Sequence, residues 1–63
     1  MKVKLVKHLI VKFDNEAVVK FNTGLIFTVE EEKGNCWICS NNDIIGLWIP
    51  KEFCEVVKQW VKN

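Results

Sequence analysis

The chain has no arginine and no tyrosine, and among its 63 residues there are one proline, one histidine and three glycines. Without arginine it lacks the planar guanidinium fork that reads guanine and clamps phosphates, so sequence-specific DNA recognition is not expected. Nine lysines against eight acidic residues leave a formal charge of +1, too near neutrality to mark a binder of polyanions. No stretch approaches the ~20 consecutive apolar residues of a membrane span. In Met1-Lys-Val-Lys-Leu-Val-Lys-His8 the lysines alternate with apolar residues and do not lead into an unbroken apolar run, which is not the pattern of a signal peptide. A cytoplasmic protein without a membrane partner is therefore expected. Three cysteines cannot all pair, whereas a small secreted domain carries an even disulfide framework, so free thiols are expected. There is no phosphate-binding glycine loop, paired-carboxylate motif or nucleophile elbow, so neither catalysis nor a cofactor is expected.

What the chain does have is apolar surface. Aliphatic and aromatic residues make up 49% of it, well above the level of disordered chains. One domain, 1–63, is expected, with a small core, because a chain of this length buries only about 60% of its unfolded surface. Many lysines and asparagines beside no arginine fit an AT-rich coding genome. A small accessory protein of a bacterium or phage, for example an inhibitor of a host enzyme, is the setting this suggests.

From Val3 to Phe13 the residues alternate, with Val3, Leu5, Leu9, Val11 and Phe13 on one parity and Lys2, Lys4, His8 and Lys12 on the other. Period two predicts a half-buried strand. Lys7 interrupts the inward row, which predicts a bulge, bend or split there. Asp14-Asn15-Glu16 carries turn chemistry, Ala17 to Phe21 is a short extended run, and Asn22-Thr23-Gly24 closes it. Leu25 to Val29 reads as the next strand, Glu30 to Asn35 as a charged loop, and Cys36 to Cys39 as another strand. Ser40-Asn-Asn-Asp43 is the strongest turn signal, with Ile44 to Ile49 as the hairpin partner. Past Pro50 two patterns compete. Phe53, Val56, Val57, Trp60 and Val61 have helical spacing, while Lys51-Glu-Phe53 followed by Cys54 to Val57 reads as one short helical turn and a strand.

From Phe21 to Val57 the order and spacing resemble an SH3 domain. Phe21-Asn-Thr-Gly24 is similar to that family's diverging turn, and Phe27 and Val29 fall at its next two core positions. Gly34-Asn-Cys-Trp37-Ile-Cys39 lies where the family has its tryptophan pair. Ile49-Pro50-Lys-Glu-Phe53-Cys-Glu-Val-Val57 resembles its proline, one-turn 3₁₀ helix, aromatic and last strand. The resemblance implies an all-β, five-stranded SH3-like barrel, with Lys58 to Asn63 as a tail or short helix. The family's peptide groove is only partly present: Phe53 and Pro50 stand at matching places, but Cys36 replaces the ligand-facing tryptophan. Binding of proline-rich peptides is therefore not expected.

Cys36-Trp-Ile-Cys39 has CxxC spacing, and His8 and Cys54 complete four potential zinc ligands. A zinc knuckle places its pair on a tight turn, whereas Trp-Ile favours a strand that sends the two thiols to opposite faces. These cysteines are expected to pack, not to hold a metal. The three tryptophans carry the functional expectation. A hairpin turn centred on Asn42-Asp43 sets Trp37 opposite Trp48, and with Trp60, Phe53 and Pro50 they form an aromatic surface for another protein or a second copy. The alternative is a nucleic-acid accessory domain contacting phosphates through Lys2, Lys4 and Lys12.

Overall fold

The structure is a computed structural model that describes residues 1–58; the helix-or-tail expectation for the C-terminus, and with it Trp60, falls on residues 59–63 outside that range. Among the described residues the protein is all-β. Seven strands follow one another as β1 (Lys2–Leu5), β2 (Leu9–Lys12), β3 (Val18–Phe21), β4 (Ile26–Lys33), β5 (Cys36–Ser40), β6 (Leu47–Pro50) and β7 (Cys54–Val57). One turn of 3₁₀ helix, Lys51–Phe53, separates the last two. The helical pattern over Phe53 to Val61 therefore gives way to strand at Cys54–Val57. No described helix is long and apolar enough to cross a membrane.

Five strands form one antiparallel sheet in the order β6-β5-β4-β1-β7, and β2 and β3 form a separate two-stranded ladder. The expected closed barrel is not formed. Among the described residues β6 and β7 pair on one side only, which leaves the five-stranded sheet open at both ends.

The alternation in β1 sets the layers. Val3 and Leu5 are buried while Lys2 and Lys4 are exposed, as period two requires. The strand pattern splits at Val6–His8, so β1 joins the large sheet and β2 the hairpin. Val3 and Leu5 meet Phe21, Phe27, Cys39, Leu47 and Ile49 in one core cluster, with Leu9, Val11, Trp37, Phe53 and Cys54 among the side chains packed around it. Phe21 and Phe27 pack edge to face, ring centroids 6.1 Å apart and planes at 68°. Phe13, expected inside, stays 37% exposed because it lies past the end of β2, beyond Leu9 and Val11, which pack against the core.

Two irregularities decide which side chains face outward. The expected charged loop from Glu30 is strand as far as Lys33, and only Gly34 and Asn35 turn the chain, the glycine-first two-residue loop of a tight hairpin. Within β4 the register shifts between Val29 and Glu31, so Glu30 is an extra residue that turns Glu31 outward. The second irregularity lies before β6. Asn41 and Ile44 close the expected turn: the Asn41 N–H donates to the Ile44 carbonyl at 2.9 Å, and Asn41 Oδ1 accepts from the Asp43 and Ile44 amides at 2.8 and 3.1 Å. The strand begins only at Leu47, which pairs with Cys39, so Ile45 and Gly46 together face Ser40. Gly46, at φ +75°, makes this one-residue bulge possible.

Glu16 is the one described non-glycine residue with positive φ, at +65°. It caps the β2–β3 hairpin, its N–H donating to the Phe13 carbonyl at 2.9 Å. A Cβ in this left-handed conformation costs about 1–2 kcal/mol. Glu16→Gly is expected to raise stability by about 0.5–1 kcal/mol after its own chain-entropy cost, measured as a higher urea midpoint. Phe27→Ala is expected to cost about 3–5 kcal/mol, enough to leave a domain of this size largely unfolded at room temperature, measured by loss of the cooperative transition.

Candidate functional site

The bulge at Ile45–Gly46 separates the two tryptophans that the turn alone sets opposite each other. The observed pairs are Trp37 with Ile49 and Trp48 with Ile38. Opposed residues in an antiparallel ladder share a face and neighbours alternate, so Trp37 lies on the core side with Ile49, Cys39 and Leu47. Trp48 lies on the outer side with Ile38, and in the next row Cys36 pairs with Pro50. The expected cross-strand Trp37–Trp48 pair is corrected on this ground, because a shift of one residue moves a strand's side chains to the other face.

Of the five residues expected to form one aromatic surface, the four described ones are thus divided. Trp48 is 55% exposed and Pro50 half-buried on the outer face. Trp37 and Phe53 are half-buried and pack against the core cluster. Each of these two rings carries a lysine ammonium: Lys51 Nζ stands 4.4 Å from the Trp37 centroid, and Lys7 Nζ 5.4 Å from that of Phe53. Lys51 is also ion-paired to Glu32, the residue opposite Trp37 on β4. The bulge at Glu30 places Glu32 there, so β4, β5 and the 3₁₀ turn meet over one ring. A shallow cleft lined by Asn35, Pro50, Lys51 and Glu52 lies at that turn.

On the outer face the Trp48 row continues to Glu31 and the Pro50 row to Lys33, and these two charges pair with each other at 3.4 Å. Ile38 and Cys36 belong to this patch; sequence reasoning set Ile38 beside the tryptophans without selecting it as a site residue, and read Cys36 as a packing cysteine. The signal that would have found them is the bulge, since Gly46 after Ile45 is a glycine at the end of a turn preceding a strand. Ile45 itself, 89% exposed, stands in the adjoining loop.

The lysines of the alternative reading occupy two different sheets. Lys2 and Lys4 face outward from β1, with Glu55 opposite Lys4, whereas Lys12 lies on the β2–β3 hairpin opposite Val18.

The three cysteines are free thiols. Cys39 is fully buried on the core side and Cys36 half-buried on the outer side, the opposite-face arrangement that strand parity predicts. The Cys54 thiol donates weakly to the Pro50 carbonyl at 3.8 Å. Burial pushes the Cys39 thiol up to about 11, with the nearby Cys54 thiol and the Glu30 carboxylate adding to the effect. Burial also raises Cys54. Neither is a poised nucleophile, because the thiolate is the reactive form.

No protein-family model, curated protein or solved structure matches this chain.

The Cys39 shift has a stability consequence. Below pH 9 the thiol is protonated in both folded and unfolded chains. Between pH 9 and about 11 the unfolded chain loses the proton first, so this contribution to stability is lost as pH rises through that window. The urea midpoint is expected to fall between pH 9 and 11 in the native chain and to fall less in Cys39→Ala, which isolates the contribution of this thiol.

Proposed function

We propose that this chain is a non-catalytic protein-binding module of SH3-like architecture, and that it binds an apolar segment of a partner protein through the outer face of β5 and β6, centred on Trp48. The observation that carries the reading is a tryptophan left 55% exposed on a strand whose cross-strand neighbour is also apolar. Contiguous apolar surface is costly to leave in water and marks interaction sites. Tryptophan is enriched among the residues that dominate binding energy. Ile38, Cys36 and Pro50 extend the patch, and the paired Glu31 and Lys33 form a polar rim without net charge. That composition suits an apolar partner segment better than a polyanion.

The SH3-like reading draws support from three features: the strand order β6-β5-β4-β1-β7, the long hairpin excursion of β2 and β3 between β1 and β4, and the 3₁₀ turn that leads into the last strand. Cys36 opposite Pro50 replaces the wide ring of a polyproline groove with a small thiol, so the binding surface shifts along the hairpin toward Trp48.

Trp48→Ala is expected to weaken partner binding by tenfold or more, in line with the loss of a hot-spot aromatic. Its unfolding midpoint should stay close to that of the native chain, because the side chain contributes little to the core. The comparison is affinity capture from the source cell with native and W48A chains, followed by titration of any protein retained by the native chain. Equal retention by the two folded chains sinks the proposal.

A further inference from the structure

The two open edges of the five-stranded sheet are not equivalent. In an antiparallel ladder the paired residues alternate between those that exchange hydrogen bonds and those whose N–H and C=O point away. At β6 the Lys51 N–H donates to the Asn35 carbonyl at 2.8 Å, which fixes the alternation: Ile49 and Leu47 bond to β5, while Trp48 and Pro50 turn their backbone outward. Pro50 has no N–H, and the Gly46 amide is taken by Ser40 Oγ at 3.3 Å. This edge therefore offers the single amide of Trp48 between two blocked positions, the way natural sheets protect an edge.

At β7 the Val6 N–H donates to the Phe53 carbonyl at 2.8 Å, so Glu55 and Val57 bond to β1 while Cys54 and Val56 face the free edge. The Cys54 amide is used by the Lys51 carbonyl in the 3₁₀ turn. Val56 keeps both groups free among the described residues. Its side chain is on the same face as the buried Val3 opposite it, yet is 46% exposed, because no described strand follows to cover it. There is no proline or bulge in Cys-Glu-Val-Val to deter pairing.

We propose that β7 pairs antiparallel with β7 of a second copy of this chain about a two-fold axis at Val56. The free groups select the occupant and the register. A two-fold centred on Val56 makes it its own hydrogen-bonding partner, each N–H donating to the other copy's carbonyl. Cys54, with only a carbonyl to offer, then stands opposite Lys58 of the other copy, whose amide donates to it. The pairing joins two five-stranded sheets into one and covers Val56 on both. Four residues per copy bury less than the ~1,200 Å² of standard interfaces, so the dimer is weak and depends on concentration. The inference is independent of the Trp48 surface, which lies at the opposite end of the sheet.

The test is sedimentation equilibrium of the full chain from about 20 μM to about 1 mM, with amide hydrogen exchange at Val56 over the same range. The mass is expected to rise from 7.4 kDa toward twice that value, with Val56 protection rising in step. Val56→Pro removes the outward amide without breaking a hydrogen bond to β1 and is expected to remain a folded monomer at every concentration. Val56→Lys, which places an edge charge at an already exposed position, gives the same readout if the proline variant does not fold. Trp48→Ala is expected to dimerise like the native chain. A chain that stays monomeric at the highest concentration overturns the proposal. So does a Val56 amide already protected in the monomer, a dimer unaffected by Val56→Lys, or an edge that accepts only an unrelated extended peptide.

Discussion

The alternating backbone ladder of β1 holds the structure together. Lys2 and Lys4 exchange hydrogen bonds with β7, while Met1, Val3 and Leu5 bond toward β4, so a segment of five residues joins the β4-β5-β6 meander to the final strand. The Gly24 amide, donating to the Leu5 carbonyl at 2.7 Å, ties the turn before β4 to the same strand. Because adjacent residues alternate in backbone direction and in side-chain face, the two strand pairings of β1 and the burial of Val3 and Leu5 are satisfied together. A core of so few side chains has no reserve, which is why the placement of Phe21, Phe27 and Ile49 depends on β1 keeping its register on both sides.

The outer face follows from two one-residue insertions. Glu30 in β4 and the Ile45–Gly46 pair before β6 each displace the alternation by one position. The first aligns Glu31 with Ile38 and Glu32 with Trp37; the second aligns Ile38 with Trp48. Together they give the sheet a core side ending in a lysine-covered tryptophan and an outer side with an uncovered one. The two rings differ in what shields them: Trp37 lies beneath Lys51, itself held by Glu32, while Trp48 has apolar neighbours and a rim of mutually paired charges.

Much of the strand order was legible in the chain. The alternation of Val3 and Leu5, the break at Lys7, the turn at Asn22 to Gly24, and the short turn and strand after Pro50 all have local signatures in parity, glycine and proline. What parity does not carry is an odd residue. The bulge at Glu30 looks like part of an acidic loop, and the bulge at Gly46 like the end of a turn, so Trp37 and Trp48 read as partners when they stand on opposite faces. Nor does a linear pattern say whether a sheet closes. That depends on twist accumulated across five strands, and here β6 and β7 remain apart. Phe13 illustrates the same limit: its parity is inward, but the hairpin that carries it extends past the core.

Gly46 gives the loop before β6 a role in mutational tolerance. Substitutions at Asn42, Asp43 and Ile45 leave the strands aligned, since the turn is held through Asn41 and these side chains are exposed, whereas Ile44 packs against the core. Removing or adding one residue there has a different effect: it rotates β6 by half a turn, directing Trp48 into a core shaped for Ile49 and Ile49 into water. In this protein the length of an exposed loop is therefore constrained more tightly than its composition, and related chains with the same surface should vary in the letters of this segment while keeping their number.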